Sequence, residues 1–338
     1  MPQDVELPIL FPSRISPDFA RAESRHLEWP RSQGLLPSQQ AAERHLMIRC
    51  AEVAARCHPE AVGTDLDLGV DQMSWFFLFD DLFDSSRGQD PAQAAALVDA
   101  VNGVLDGSIA RAPIVAAFAD LWKRSCEGMS GSWRSRTADN WRRYFDSFVD
   151  EARLRQNASC LPEDYMAVRR VSVGVRPILD LAERLHHREL PETAVGNPHV
   201  SAMQRITVDV PLLDNDICSV EKEERRGDHN LVLIWERHHH WSRTQAILEI
   251  RELVRTRVDD FVALEDGLPH LCRDLGLDPP QRHSLSRYVD DTLRPVMRGI
   301  YDWHRSSERY TSSYIMPSDQ TGHAVDLGEN PSDAPETR

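Results

Sequence analysis

Three observations predict an all-α fold for this chain of 338 residues. Apolar residues recur at helical spacing along nearly its whole length. Alternating strand patterns joined by Asn-Gly or Asp-Gly turns are nearly absent. Helix punctuation is plentiful; Asp90-Pro91 reads as an N-cap followed by a first-turn proline, and Gly107 as the stop of the same helix.

The elements follow in order. Ser38-Gln39-Gln40 opens a segment rich in Ala, Arg and Leu that runs to Cys57. Thr64-Asp65 begins another, which reaches about Asp84. Ala92 to Leu105 follows the Asp90-Pro91 signal. Further helices are predicted over Ile114–Glu127, Ser132–Arg155, Pro162–Leu185, Ser201–Glu224, Ser242–Leu264 and Gln281–His304. The pattern amounts to roughly ten helices with connections of ordinary length. One of them contains a break: between Arg169 and Pro177, Gly174 lowers helix propensity and Pro177 cannot donate to the carbonyl of Val173. Such a break is either a packing kink or a place where backbone groups face a ligand. No internal repeat and no Pro/Gly/Ser linker divides the chain, so residues 1–316 are expected to form one domain. Residues 1–16 are aperiodic. Residues 317–338 hold three prolines and two glycines with few large apolar groups, the composition of a flexible tail.

Composition narrows the function. Net charge is −15, which disfavours non-specific binding to nucleic acid; an anionic ligand would need local cations. The six cysteines form no CxxC pair and no dense framework, as expected of free thiols in a reducing cytoplasm. The longest unbroken apolar stretch, Ile114–Ala119, is too short to span a bilayer, and a soluble cytoplasmic protein is expected. The triplet His238-His239-His240 precedes Trp241-Ser242 and reads as a solvated turn before a helix N-cap rather than as a metal site.

Two acidic patterns carry chemistry. In Phe79-Asp80-Asp81-Leu82-Phe83-Asp84, Asp80 and Asp84 lie one helical turn apart on one face, with Asp81 beside them. Like charges this close destabilise a helix unless cations neutralise them, and magnesium prefers such hard oxygen ligands together with substrate phosphates. The run Trp75-Phe76-Phe77-Leu78-Phe79 leads straight into these acids. Phe76 and Phe77 precede Asp80 and Asp81 by one turn, about 5.4 Å of rise, so both rings lie just below a metal site. Packing as ordinary core aromatics is the competing reading. In the second pattern Asn215, Ser219 and Glu223 recur at i, i+4 and i+8, an oxygen-bearing stripe along two turns. Lys222 sits beside the stripe, within reach of a phosphate.

These residues resemble bacterial class I terpene synthases. The aspartate-rich motif of that family matches Asp80, Asp81 and Asp84. Its NDxxSxxKE motif matches Asn215, Asp216, Ser219, Lys222 and Glu223. Its diphosphate-sensing arginine before a helix break matches Arg170 with Gly174, Arg169 being the alternative register. Its C-terminal Arg-Tyr pair matches Arg309-Tyr310. The resemblance spans about residues 5–315. It implies a single-domain isoprenoid-synthase helical bundle around a central apolar pocket. It also implies three magnesium ions, farnesyl diphosphate as substrate and release of diphosphate. The segments Met73–Asp84, Glu221–Glu224 and Tyr301–Ser307 are most similar to sesquiterpene cyclases that make an angular triquinane hydrocarbon. By the same resemblance Phe76, Phe77 and Trp303 line the cation pocket, and His304 is a candidate terminal base in competition with the released diphosphate. Pro211 and Asp214 depart from that pattern, standing where those cyclases carry asparagine and leucine. Pro211, one turn before Asn215, is expected to reshape the pocket wall, and Asp214, offset by about 100° of helix rotation, to matter less. The alternatives are a chain-elongating prenyltransferase of the same fold, a helical metal-dependent phosphohydrolase and a non-catalytic helical binding protein. Product skeleton and assembly state, including a homodimer, stay open.

Overall fold

Residues 5–83, 90–157 and 159–310 are described by the computed structural model, and among them there are helices and connections but no strand. The helices are α1 (Phe19–Arg25), α2 (Glu28–Ser32), α3 (Gln39–Ile48), α4 (Cys50–Cys57), α5 (Gly63–Phe83), α6 (Pro91–Leu105), α7 (Pro113–Cys126) and α8 (Gly131–Arg155). After these come α9 (Pro162–Ser172), α10 (Val175–Leu185), α11 (Pro198–Arg226), α12 (Leu231–His239), α13 (Arg243–Asp266), α14 (Leu268–Asp274), α15 (Pro279–Tyr288) and α16 (Arg294–Ser306). A five-residue π-helical turn, Val289–Leu293, joins α15 to α16.

The caps form where the sequence places them. Asp90 accepts from the amides of Ala92 and Gln93. Ser242 and Gln245 close a capping box at the start of α13. The long segments stand as helices, with three differences. The stretch from Ser38 to Cys57 divides into α3 and α4 because Arg49 adopts a left-handed backbone conformation, φ 62°. The stretch from Gln281 to His304 divides around the π turn. Helices α1, α2, α12 and α14 were not predicted; at five to nine residues they are too short for periodicity to register. His238 and His239 accordingly form the exposed last turn of α12, with His240 as its left-handed cap, rather than a loop. The boundary at residue 316, the segment 317–338 and Asp84 lie outside the described residues.

Helix α5 is the centre of the bundle. It buries residues on every side, the pattern of a helix enclosed by others. It packs against α4, α7 and α10; α8 packs against α6, α9 and α10; α16 packs against α4 and α11. Trp75 is wholly buried, and its indole N–H donates to the carbonyl of Ile114 at 2.9 Å. Around it Phe79, Phe118, Trp141 and Phe145 stand at centroid distances of 4.5–6.0 Å. Aromatic pairs at such separations add about 0.5–1.5 kcal/mol each beyond area burial. This cluster fixes α5 against α7 and α8 and so fixes the direction of the residues at its C-terminal end. The α4–α16 contact is equally close: a Cβ at Gly299 would meet the Arg56 backbone at 2.8 Å. The aperiodic N-terminal stretch is also held: Leu7, Ile9 and Phe11 are buried, and Arg298 donates to the carbonyl of Ile9 at 3.1 Å.

Candidate active site

The C-terminal halves of α5, α11 and α16, together with α8 and the α9–α10 break, enclose a cleft of about 1280 Å³, open solvent at its mouth included. Its apolar lining includes Met73, Phe76, Phe77, Ile300 and Trp303; its polar lining includes Asp80, Arg169, Asn215, Ser219, Lys222, Glu223, Arg309 and Tyr310. Two acidic motifs far apart in sequence therefore face one cavity. Phe76 stacks on Trp141 at 5.2 Å and meets Tyr144 edge-on at 5.2 Å, while Phe77 lies 5.2 Å from Trp303. Trp303 is anchored by its indole N–H, which donates to the carbonyl of Ile48 at 2.7 Å.

Arg309, only 3% exposed, donates to Asp80 at 2.9 Å and to Asp81 at 3.1 Å. Its guanidinium lies over the Phe77 ring, 4.8 Å from the centroid. The segment that follows α16 is thus tied to the aspartate motif. Tyr310 joins it to the second motif, accepting from the Asn215 amide nitrogen at 2.9 Å. Asp81 does not line the cleft although Asp80 does.

The two adjacent arginines have different surroundings. Arg170 turns away from the cleft and pairs with buried Asp209 at 2.6 Å, which Arg257 also holds at 3.1 Å. Arg169 lines the cleft, donating to Glu151 at 3.2 Å, to Ser172 at 3.1 Å and to the Asn215 oxygen at 3.1 Å. One residue along a helix turns the side chain by about 100°, enough to send the two guanidiniums to different neighbours. Of the two registers that the sequence left open, Arg169 faces the cleft and Arg170 does not. Gly174 caps α10 at φ 72° and lines the cleft, where a Cβ would meet Tyr144 at 3.2 Å and Phe76 at 3.6 Å. A side chain here would be strained in its backbone and would fill the cavity. Pro177 falls in the first turn of α10, where an absent N–H costs little.

Along α11, Ser219 donates back to the Asn215 carbonyl at 2.7 Å, and the Glu223 carboxylate accepts from Asn230 at 2.6 Å. Asp216 faces the other way, is fully buried and accepts from the Tyr165 hydroxyl at 2.9 Å and the Leu231 amide at 3.0 Å. Burial first, and the nearby Asp216 charge second, push the Glu223 carboxyl well above the usual carboxylate range. Oxygen donors at i, i+4 and i+8, with excess negative charge among them, suit a hard divalent cation, which would offset that cost. Glu151, Tyr165 and Asn230 are parts of the site that the sequence did not reveal. Asn230 alone left a signal, as the N-cap of α12, where its side-chain oxygen accepts from Val232.

Comparison with known proteins gives the family. Residues 71–260 match the family model described as terpene synthase family 2, C-terminal metal binding. The chain belongs to that family. Pentalenene synthase of Streptomyces arenae is 48% identical over 333 residues, covering 97% of this chain and 99% of the relative. The (-)-beta-caryophyllene synthase of Saccharothrix espanaensis, a farnesyl diphosphate cyclizing enzyme, is 38% identical over 96% of this chain and 94% of its own length. Among solved structures, germacradien-4-ol synthase from Streptomyces citricolor superposes with a TM-score of 0.82 at 32% identity, covering 90% of this chain and 99% of that one. The terpene synthase fold expected from the sequence is thus the observed one. The described cysteines are all free, five of them buried. Among the described residues no helix is long and apolar enough to cross a membrane.

Proposed function

We propose that this terpene synthase is a class I sesquiterpene cyclase that ionises farnesyl diphosphate with magnesium and cyclises the carbocation to a polycyclic hydrocarbon, releasing diphosphate in the cytoplasm. The observation that carries the reading is the facing of Asp80 and the Asn215–Ser219–Glu223 stripe across one aromatic-lined cleft. Asp80, with Asp81 and Asp84 of the same motif, and the stripe on α11 would hold three magnesium ions. Bound there, magnesium supplies Lewis-acid stabilisation of the departing diphosphate. Arg169, Lys222, Arg309 and the Tyr310 hydroxyl donate hydrogen bonds to diphosphate oxygens. Arg309 now rests on Asp80 and Asp81, so its transfer to diphosphate would free those carboxylates. Gly174 keeps the wall between Phe76 and Tyr144 open to the substrate.

Once the allylic C–O bond breaks, the cation lies against Phe76, Phe77 and Trp303. Their ring faces stabilise positive charge by up to about 2 kcal/mol each when desolvated, and offer no nucleophile. His304 lines the same wall and is one candidate acceptor of the final proton, the released diphosphate being the other. Identity of 48% to pentalenene synthase supports pentalenene or a related triquinane as the product. The test is incubation with geranyl, farnesyl and geranylgeranyl diphosphates plus magnesium, followed by gas chromatography–mass spectrometry. A cyclic C15 hydrocarbon from farnesyl diphosphate alone, abolished by chelator, is expected. Linear alcohol only, or a requirement for an isopentenyl co-substrate, would refute the reading.

A further inference from the structure

We propose that Asp214 is a positioning residue: through His304 and Tyr310 it sets a one-way chain of hydrogen bonds that, together with Arg169, holds the amide oxygen of Asn215 toward the metal site. The inference rests on the catalytic reading above, in which Asn215 is a metal ligand.

The direction of the chain follows from what each atom can donate. A guanidinium has donors only, so the Asn215 atom 3.1 Å from Arg169 is its oxygen. The amide nitrogen is then the atom 2.9 Å from the Tyr310 hydroxyl, and it donates to that oxygen. Before diphosphate binds, the Tyr310 proton is directed at His304 Nε2, 3.4 Å away. In this arrangement Nε2 is bare, and the ring proton sits on Nδ1, which donates to the Asp214 carboxylate at 2.5 Å. A carboxylate only accepts, so it selects this tautomer. The other Asp214 oxygen faces the Cys218 thiol at 3.9 Å.

Burial makes the chain consequential. Asp214, His304 and Tyr310 are 3%, 2% and 8% exposed, so water is poorly placed to replace a lost partner. With an apolar side chain at 214, nothing would accept from Nδ1, and the Nε2–H tautomer would become favoured. His304 would then donate to Tyr310, and the Tyr310 proton would compete with Arg169 for the Asn215 oxygen, so the amide would lose the single orientation that Arg169 and the chain hold together. Asp214, Cys218 and His304 have ligand atoms within 4.8 Å of one another, but the 2.5 Å carboxylate–imidazole contact leaves no place for a cation between them. Asp214 is thus more than a residue offset from the stripe, as rotation about α11 alone suggested.

The test has two readouts. Nitrogen-15 NMR of the histidine-labelled chain, with His304 assigned by difference against His304→Gln, reports the tautomer without substrate. Calorimetric titration with magnesium and inorganic diphosphate, alongside steady-state kinetics with farnesyl diphosphate, reports the metal site. Wild type should show a protonated Nδ1 and a bare Nε2. Asp214→Leu should lose that signature and raise the magnesium concentration for half-saturation roughly five- to tenfold, the scale of one hydrogen bond, with a smaller change in kcat. Asp214→Asn keeps an accepting oxygen and should recover most of the magnesium response. A protonated Nε2 in the wild type would overturn the proposal even if Asp214→Leu fails to fold. So would a folded Asp214→Leu with unchanged tautomer and magnesium response. A wild-type chain with the expected tautomer but no magnesium binding and no turnover would instead sink the catalytic reading.

Discussion

Replacing Arg169 and Arg170 one at a time by glutamine separates the two adjacent guanidiniums by function. Arg169 is only 16% exposed and shares three polar partners at the mouth of the cleft. If it donates two hydrogen bonds to the departing diphosphate, at about 1.5–3 kcal/mol each, the loss is about 3–6 kcal/mol. At about 1.4 kcal/mol per factor of ten, kcat/KM should fall by roughly 10² to 10⁴. Inhibition by inorganic diphosphate with magnesium should weaken in parallel. Arg170 has a different task. It is 34% exposed and neutralises Asp209, which is 2% exposed and keeps Arg257 at 3.1 Å. Breaking a buried ion pair costs about 3–5 kcal/mol, but a surviving partner and partial exposure reduce this to roughly 1–3 kcal/mol. Arg170→Gln should therefore lower the melting temperature by several degrees while kcat/KM and the diphosphate inhibition constant stay near the parent values. The assays are steady-state kinetics with farnesyl diphosphate, inhibition by diphosphate and thermal melting of both variants. Loss of diphosphate inhibition in Arg170→Gln, with Arg169→Gln unaffected, would refute the geometric assignment.

Glu223→Gln should weaken the response to magnesium sharply while the fold survives; unchanged turnover at limiting magnesium would remove Glu223 from the ligand set. Pro211, which lines the cleft from inside α11, leaves the Thr207 carbonyl without its helical N–H partner, so Pro211→Asn should alter the product profile by mass spectrometry. An identical profile would place product control elsewhere, with Phe76 and Phe77 next to be changed. Acid should remove the stabilising contribution of two buried histidines. Burial, aided by His186, holds His58 down at about 3; burial, aided by His26, holds His45 down at about 4. Both values are depressed from 6.5, so their stability is fully present above that pH and is lost as pH falls toward 4, at about 1.4 kcal/mol per pH unit each. Buried carboxylates such as Glu223 titrate in the same window with the opposite sign, so the check is the difference: between pH 7 and 4.5 His58→Leu should lose one proton's worth less stability than the parent, and an identical pH dependence would contradict it.

The sequence by itself determined the helices long enough to show periodicity, the caps at Asp90 and Ser242, and the two oxygen-bearing motifs, because each is a regularity within one or two turns. Asn215, Ser219 and Glu223 share a face whatever surrounds them, and Phe76 must stand one turn before Asp80. The tertiary structure decided everything that depends on a partner from elsewhere in the chain. Arg169 and Arg170 are the same residue type at neighbouring positions; only Asp209 on one side and Glu151, Ser172 and Asn215 on the other distinguish them. Asp216 sits inside the second motif yet serves Tyr165 and the start of α12, a use visible only once α9 and α12 are packed beside α11. The partner of Asp214 was hidden the same way, since His304 lies ninety residues further on. Local spacing fixes which face a side chain occupies; the packing of other helices against that face decides what chemistry it meets.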